Sequence, residues 1–268
     1  MMMLADAFDH VVDSRFVEIL PSKFWGFNLP FGMTKFMLLE LLAAVLIVLI
    51  FVPLARRAES GDPPKGFFWN TFESLLTFIR ERVAKAAIGE HDADRYVPFL
   101  WSVFLFILFC NLLGMIPFLG SPTASLAVTG ALAIAAFLFI HGSAIAKQGI
   151  GPYFQHHFPH IDAPFPLGII ISVMIGIIEL FGHLIKAFVL AVRLFANLFA
   201  GHLVLAFILS FIVMAKNTNF FLFGPISIGS AFMIVALSLL EIFVAFLQAF
   251  VFTYLTALFV GTALHPSH

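Results

Sequence analysis

The stretch Leu167–Ala215 reads LGIIISVMIGIIELFGHLIKAFVLAVRLFANLFAGHLVLAFILSFIVMA. It is apolar almost throughout, yet it carries Glu179, Lys186 and Arg193. A second apolar segment follows, from about Phe223 to Leu264, interrupted clearly only near Gly224-Pro225. One upright membrane span needs about 20 residues. Each of these segments is roughly twice that long. Each therefore either contains a break or lies strongly tilted in the membrane. The fold expected is all-α and integral to a membrane, because in lipid a helix satisfies its own backbone hydrogen bonds.

The rest of the composition agrees. The chain has 268 residues, 62% hydrophobic and 11% charged. Soluble domains carry about 25% charge, so the solvent for most of this chain is lipid. The single cysteine, Cys110, excludes an internal disulfide and reads as a small buried hydrophobe. The opening MMMLADAFDH lacks a basic stretch followed by an apolar one, so it is not expected to be a cleavable signal peptide. A phosphate-cradling glycine loop of the GxxxxGK[ST] kind is absent from the sequence. No cofactor and no metal site is expected. His156, His157, His160 and Asp162 have zinc-ligand chemistry but no recognisable zinc spacing, and they read as a solvated loop.

Working toward the N-terminus, residues 1–32 are polar to mixed. A first spanning helix is expected over 33–55. Residues 56–96 form a basic segment holding seven of the 14 Lys and Arg: Arg56, Arg57, Lys65, Arg80, Arg82, Lys85 and Arg95. Within it, Phe68, Phe72, Leu75, Leu76, Ile79 and Val83 recur at helical spacing against Glu73, Arg80, Arg82 and Lys85. That pattern predicts an amphipathic helix on the membrane surface. Residues 97–146 form a hairpin of two spans with a turn at Phe118–Thr123, and 147–166 form a polar loop. Residues 167–268 hold the two long helices. The excess of basic residues places 56–96 in the cytoplasm. The N-terminus and the Phe118–Thr123 turn then lie outside, and the 147–166 loop and the C-terminus lie inside.

From Ala163 to His268 the only charged residues are Glu179, Lys186, Arg193, Lys216 and Glu241. Each ionised group at mid-membrane costs about 2.5–3.5 kcal/mol on insertion scales. A scaffold would use leucine, so these charges point to function. Glu179, His183, Lys186, Leu190, Arg193 and Asn197 follow at intervals of 4, 3, 4, 3 and 4, which forms one stripe on a helix. His202 lies nearly opposite Arg193 on the same helix. Glu241 and Gln248 share a face of the last segment. If the two long segments pack antiparallel, Glu241 faces His202 and Gln248 reaches the Arg193 region. An acid beside an imidazole passes protons both ways near neutrality. The small pairs Ala196/Ala200 and Ala245/Ala249 allow close helix approach.

The block Arg193-Leu-Phe-Ala-Asn197-Leu-Phe-Ala-Gly-His202 resembles the signature of subunit a of F-type ATP synthases. So does the block from Glu241 through Gln248 to Phe252, and Asn111–Pro117 with Pro122–Ala124 and Thr129 is similar to that family's hairpin. The resemblance spans roughly residues 67–262. It implies one N-terminal spanning helix, an amphipathic surface helix, a hairpin, and two long tilted helices against a rotating ring of c subunits. It implies two half-channels that load and unload protons on that ring, in a chain with no catalytic site of its own. The essential arginine maps onto Arg193. Gln248, Asn197 and Glu179 map onto its glutamine, asparagine and channel-lining acid. His202 and Glu241 stand in the exchanged, mitochondrial-type order. Ala187 stands where a proline is common, and His183 and Lys186 are carried as further proton-path candidates. The partners implied are the c-ring, b-type stalk subunits, the F1 sector indirectly and the lipid bilayer, with no nucleic acid. The location implied is a bacterial inner membrane, crossed several times. A competing class is a stand-alone secondary transporter with Arg193 as an anion clamp. Such folds show internal repeats and midplane breaks, which this sequence lacks.

Overall fold

A computed structural model describes residues 16–18, 26–28, 34–59, 66–116, 120–157, 167–215 and 220–265. Most of the N-terminal segment, His160, Asp162 and the Lys216 turn lie outside the described residues, as do positions 117–119 of the hairpin link.

Two three-residue strands, β1 (Phe16–Glu18) and β2 (Gly26–Asn28), pair antiparallel with Val17 opposite Phe27. Everything else regular is helical. Helix α1 (Lys35–Glu59) starts behind Thr34, whose hydroxyl accepts from Met37 N–H at 3.4 Å. Helix α2 (Phe67–Phe78) runs into a six-residue π-helical stretch, Ile79–Ala84, and then α3 (Lys85–Ile88). Helices α4 (Ala93–Gly114) and α5 (Leu126–Gln148) form a hairpin with a 3₁₀ turn at Pro122–Ala124. Helix α6 (Ile150–His157) lies within the expected polar loop. The final pair is α7 (Leu167–Ala215, 49 residues) and α8 (Phe220–Leu264, 45 residues). Both are continuous, and α8 carries Pro225 without breaking. At 1.5 Å per residue, α7 would be about 74 Å long if straight. A hydrocarbon core is about 30 Å, so each helix is longer than one upright span needs.

Among the described residues, five helices are long and apolar enough to cross a membrane: Lys35–Arg56, Ala93–Gly114, Leu126–Gln148, Leu167–Met214 and Gly224–Leu264. The chain is an all-α, multi-pass membrane protein.

Tertiary contacts divide the chain into two units. The first comprises Met1–Pro64, Val103–Thr129 and Arg193–Phe250. Within it, Phe36, Leu39 and Ala43 form one buried edge of α1, spaced three and four apart, and pack on Cys110 and Leu113. Leu41, Val45, Val48 and Val52 on other sides of α1 are exposed, which suits lipid. Asn111 Nδ2 donates to the Ala245 carbonyl at 3.1 Å, and Thr123 Oγ1 donates to Asn111 Oδ1 at 2.7 Å. This buried bridge ties α4 and the hairpin turn to α8.

The second unit comprises Lys65–Ser102, Gly130–Val192 and Val251–His268. Ile79, Val83 and Ile88 are buried in it, while Phe67 and Phe68 are exposed. Of the apolar stripe, Phe72, Leu75 and Leu76 are half-buried and only Phe68 is exposed, whereas Glu73, Arg80 and Arg82 are exposed, as an amphipathic helix requires. Arg80 pairs bidentately with Asp94, both bonds at 2.7 Å. Trp101 Nε1–H donates to the Leu76 carbonyl at 3.0 Å. Asp92 accepts from Lys147 at 2.5 Å and lies 3.1 Å from His265 Nε2. Gln148 Nε2 donates to the Ala263 carbonyl at 2.8 Å. The start of α4, the end of α5 and the end of α8 therefore meet.

Candidate functional site

Arg193 lies 26 residues after the start of α7 and 22 before its end, about 39 and 33 Å along the axis. In its unit, Leu194 and Leu198 are buried, whereas Arg193, Ala196, Asn197 and Ala200 form an exposed stripe. No ion pair joins Arg193 to a carboxylate among the described residues.

Beside this stripe, Asn197 Nδ2 donates to Gln248 Oε1 at 2.8 Å. Gln248 is only 1% exposed, and Ala245 and Ala249 are fully buried around it. The two helix segments run antiparallel here. The expected approach of Gln248 to the Arg193 region therefore occurs through Asn197, one turn away.

Glu241 and His202 are each half-buried. They are not hydrogen-bonded to one another among the described residues. A Cβ placed on Gly201 would lie 2.6 Å from Glu241 Oε1. The carboxyl thus occupies the space that the missing side chain leaves, flat against the α7 backbone. Gly201 and His202 project about 100° apart, so the antiparallel register brings Glu241 to the residue before the imidazole instead of onto it. The pairing anticipated from spacing thus finds Glu241 against α7 at Gly201, the residue next to His202.

The remaining candidates belong to the second unit. Glu179 is exposed. Lys186 Nζ stands 5.1 Å over the Phe259 ring, a cation–π contact. It forms no ion pair with Glu179 among the described residues. The His183 ring lies 5.1 Å from that of His141 on α5. His141 Nδ1 lies 2.5 Å from the Tyr153 hydroxyl of α6. Burial, and then the neighbouring Glu179 carboxylate, push the Tyr153 phenol above its usual value. Spacing along α7 had not gathered His141 or Tyr153. The available signal was His141 itself, an ionisable residue inside an expected span. Among the described residues no three His, Cys, Asp or Glu side chains cluster to hold a metal ion.

Residues 37–261 match the family model of the ATP synthase A chain. The chain belongs to the ATP synthase subunit a family. It is 38% identical to the ATP synthase subunit a of Chloroherpeton thalassium, covering 98% of this chain and 78% of that one. It is 38% identical to that of Myxococcus xanthus, covering 90% and 75%. Against a longer subunit a from Anaeromyxobacter, 37% identical, it spans 53% of that protein's length. Every subunit a candidate residue named above falls inside the family match. Its membership makes the chain a component of a multi-subunit ATP synthase.

Proposed function

We propose that this subunit a is the proton-translocating stator of the membrane sector, working against a ring of c subunits in a bacterial inner membrane. The single observation that carries the reading is Arg193, exposed at the middle of a long membrane helix with no carboxylate of the described chain paired to it. An unpaired guanidinium in lipid is costly and does not deprotonate at any accessible pH. No described carboxylate supplies its counter-charge, which supports a carboxylate on another chain. The flanking Ala196 and Ala200, both exposed, allow a partner helix to approach closely. A ring carboxylate arriving at Arg193 has its pKa depressed and releases its proton.

His202 and Glu241, in the exchanged, mitochondrial-type order, with Asn197 and Gln248, are the polar groups of the outer half-channel. Glu179, His183 and Lys186 are those of the inner one. Arg193 blocks a direct leak because it neither yields its proton nor passes a cation. The b-type stalk subunits hold the stator, and F1 is engaged indirectly. Catalysis of ATP synthesis lies elsewhere in the complex. The anion-transporter alternative loses ground because the similar proteins are named as ATP synthase subunits.

Arg193→Lys keeps the charge and loses the planar fork. The expected result in inverted vesicles is loss of ATP-driven proton pumping with the complex still assembled. Normal pumping would refute the proposal.

A further inference from the structure

The second unit holds a polar chain that the α7 stripe alone does not explain. Gly149, between α5 and α6, has φ of 88°, a conformation that glycine adopts without strain. This turn folds α6 back so that Tyr153 meets His141, twelve residues earlier. Tyr153 is 9% exposed although α6 is short and otherwise largely exposed. Its hydroxyl and His141 Nδ1 are 2.5 Å apart. Beyond His141, toward His183 and Lys186, lies a cavity of about 20 Å³, lined also by Phe137, Leu190 and Phe259. That volume is about the size of one water molecule, and its lining is mostly apolar. A purely structural Tyr–His bond would need neither the second imidazole nor the nearby carboxylate.

We propose that His141 and Tyr153 form a proton relay at the inner mouth of the path, joining His183 on α7 to Glu179 and the cytoplasmic surface. The proposal rests on reading this chain as proton-translocating. A proton reaches His141 from the His183 ring, whose centroid lies 5.1 Å from that of His141. The Nδ1 proton of the resulting imidazolium passes to the Tyr153 oxygen as the Tyr153 hydroxyl proton passes, by way of water, toward the Glu179 carboxylate, whose charge is felt at the phenol. Glu179 then releases it to solvent. One proton enters and one leaves, and the phenol is neutral before and after. The elevated phenol pKa suits that role, since Tyr153 then never rests as a phenolate.

The test uses the assembled complex in inverted vesicles, with passive proton flux measured after F1 is stripped. Tyr153→Phe retains the ring and removes only the hydroxyl. His141→Gln retains a hydrogen-bonding amide and removes the titration. Each is expected to lower flux by about tenfold or more with the complex assembled. Because the two act in series, the double variant should conduct no worse than the slower single variant. Flux equal to the parent in Tyr153→Phe or His141→Gln, or multiplicative losses in the double variant, would overturn the relay. Arg193→Ala is carried in parallel in vesicles that retain F1, read as ATP-driven proton uptake. If its uptake matches the parent, the stator reading itself fails. If its uptake is lost while both relay variants conduct like the parent, the relay alone fails.

Discussion

At the scale of single residues, the proposed function turns on where Arg193 and Glu241 are placed. Arg193 was legible because a charge in the middle of an apolar run is expensive wherever its partner lies. Its outward direction was not legible, since that depends on which edge of α7 Leu194 and Leu198 bury. Glu241 is the converse case. Heptad spacing linked it to Gln248, but its seat against Gly201 follows from the register between two helices, which no single periodicity encodes. Gly201→Ala tests that seat. The new Cβ would stand 2.6 Å from Glu241 Oε1, and the flexible carboxyl can yield without unfolding the helix pair. The expected outcome is normal assembly with proton flux reduced by about tenfold or more, because a displacement of about 1 Å in a reactive group costs that much or more. Flux and assembly both unchanged would show that the position of Glu241 is not critical.

At the scale of elements, the long apolar runs were readable because length and composition alone decide a spanning helix. Leu167–Ala215 and the segment ending at Leu264 appear as such. Short polar segments were harder. Helix α6 lies where Lys147 to Pro166 read as a loop, because its burial of Tyr153 depends on His141, a partner in another helix. The ends of α4, α5 and α8 are tied by Asp92, Lys147 and His265, residues 55 and 173 positions apart from Asp92. Lys147, and to a smaller extent His265, hold the Asp92 carboxyl below its ordinary value of 3.8, against burial that raises it. A depressed acid contributes stability that is complete above its unfolded pKa and lost as pH falls through the folded value. Asp92→Asn should therefore lower the Tm of the detergent-solubilised complex at neutral pH. The gap between parent and variant should close below about pH 4. A Tm gap that persists unchanged at pH 3 would contradict the clasp.

At the scale of the whole molecule, 62% hydrophobic residues on 268 positions and five membrane-length helices make lipid the solvent. A helix of 49 residues exceeds the length that an upright crossing of a core about 30 Å thick needs. The physical core of the proposed stator role is one permanent cation, Arg193, that pairs with no carboxylate among the described residues. The most direct measurement is ATP-driven proton uptake by inverted vesicles carrying Arg193→Ala in an otherwise complete ATP synthase. The stator role predicts no uptake with ATP hydrolysis sites and subunit assembly intact; uptake at the parental rate would contradict it.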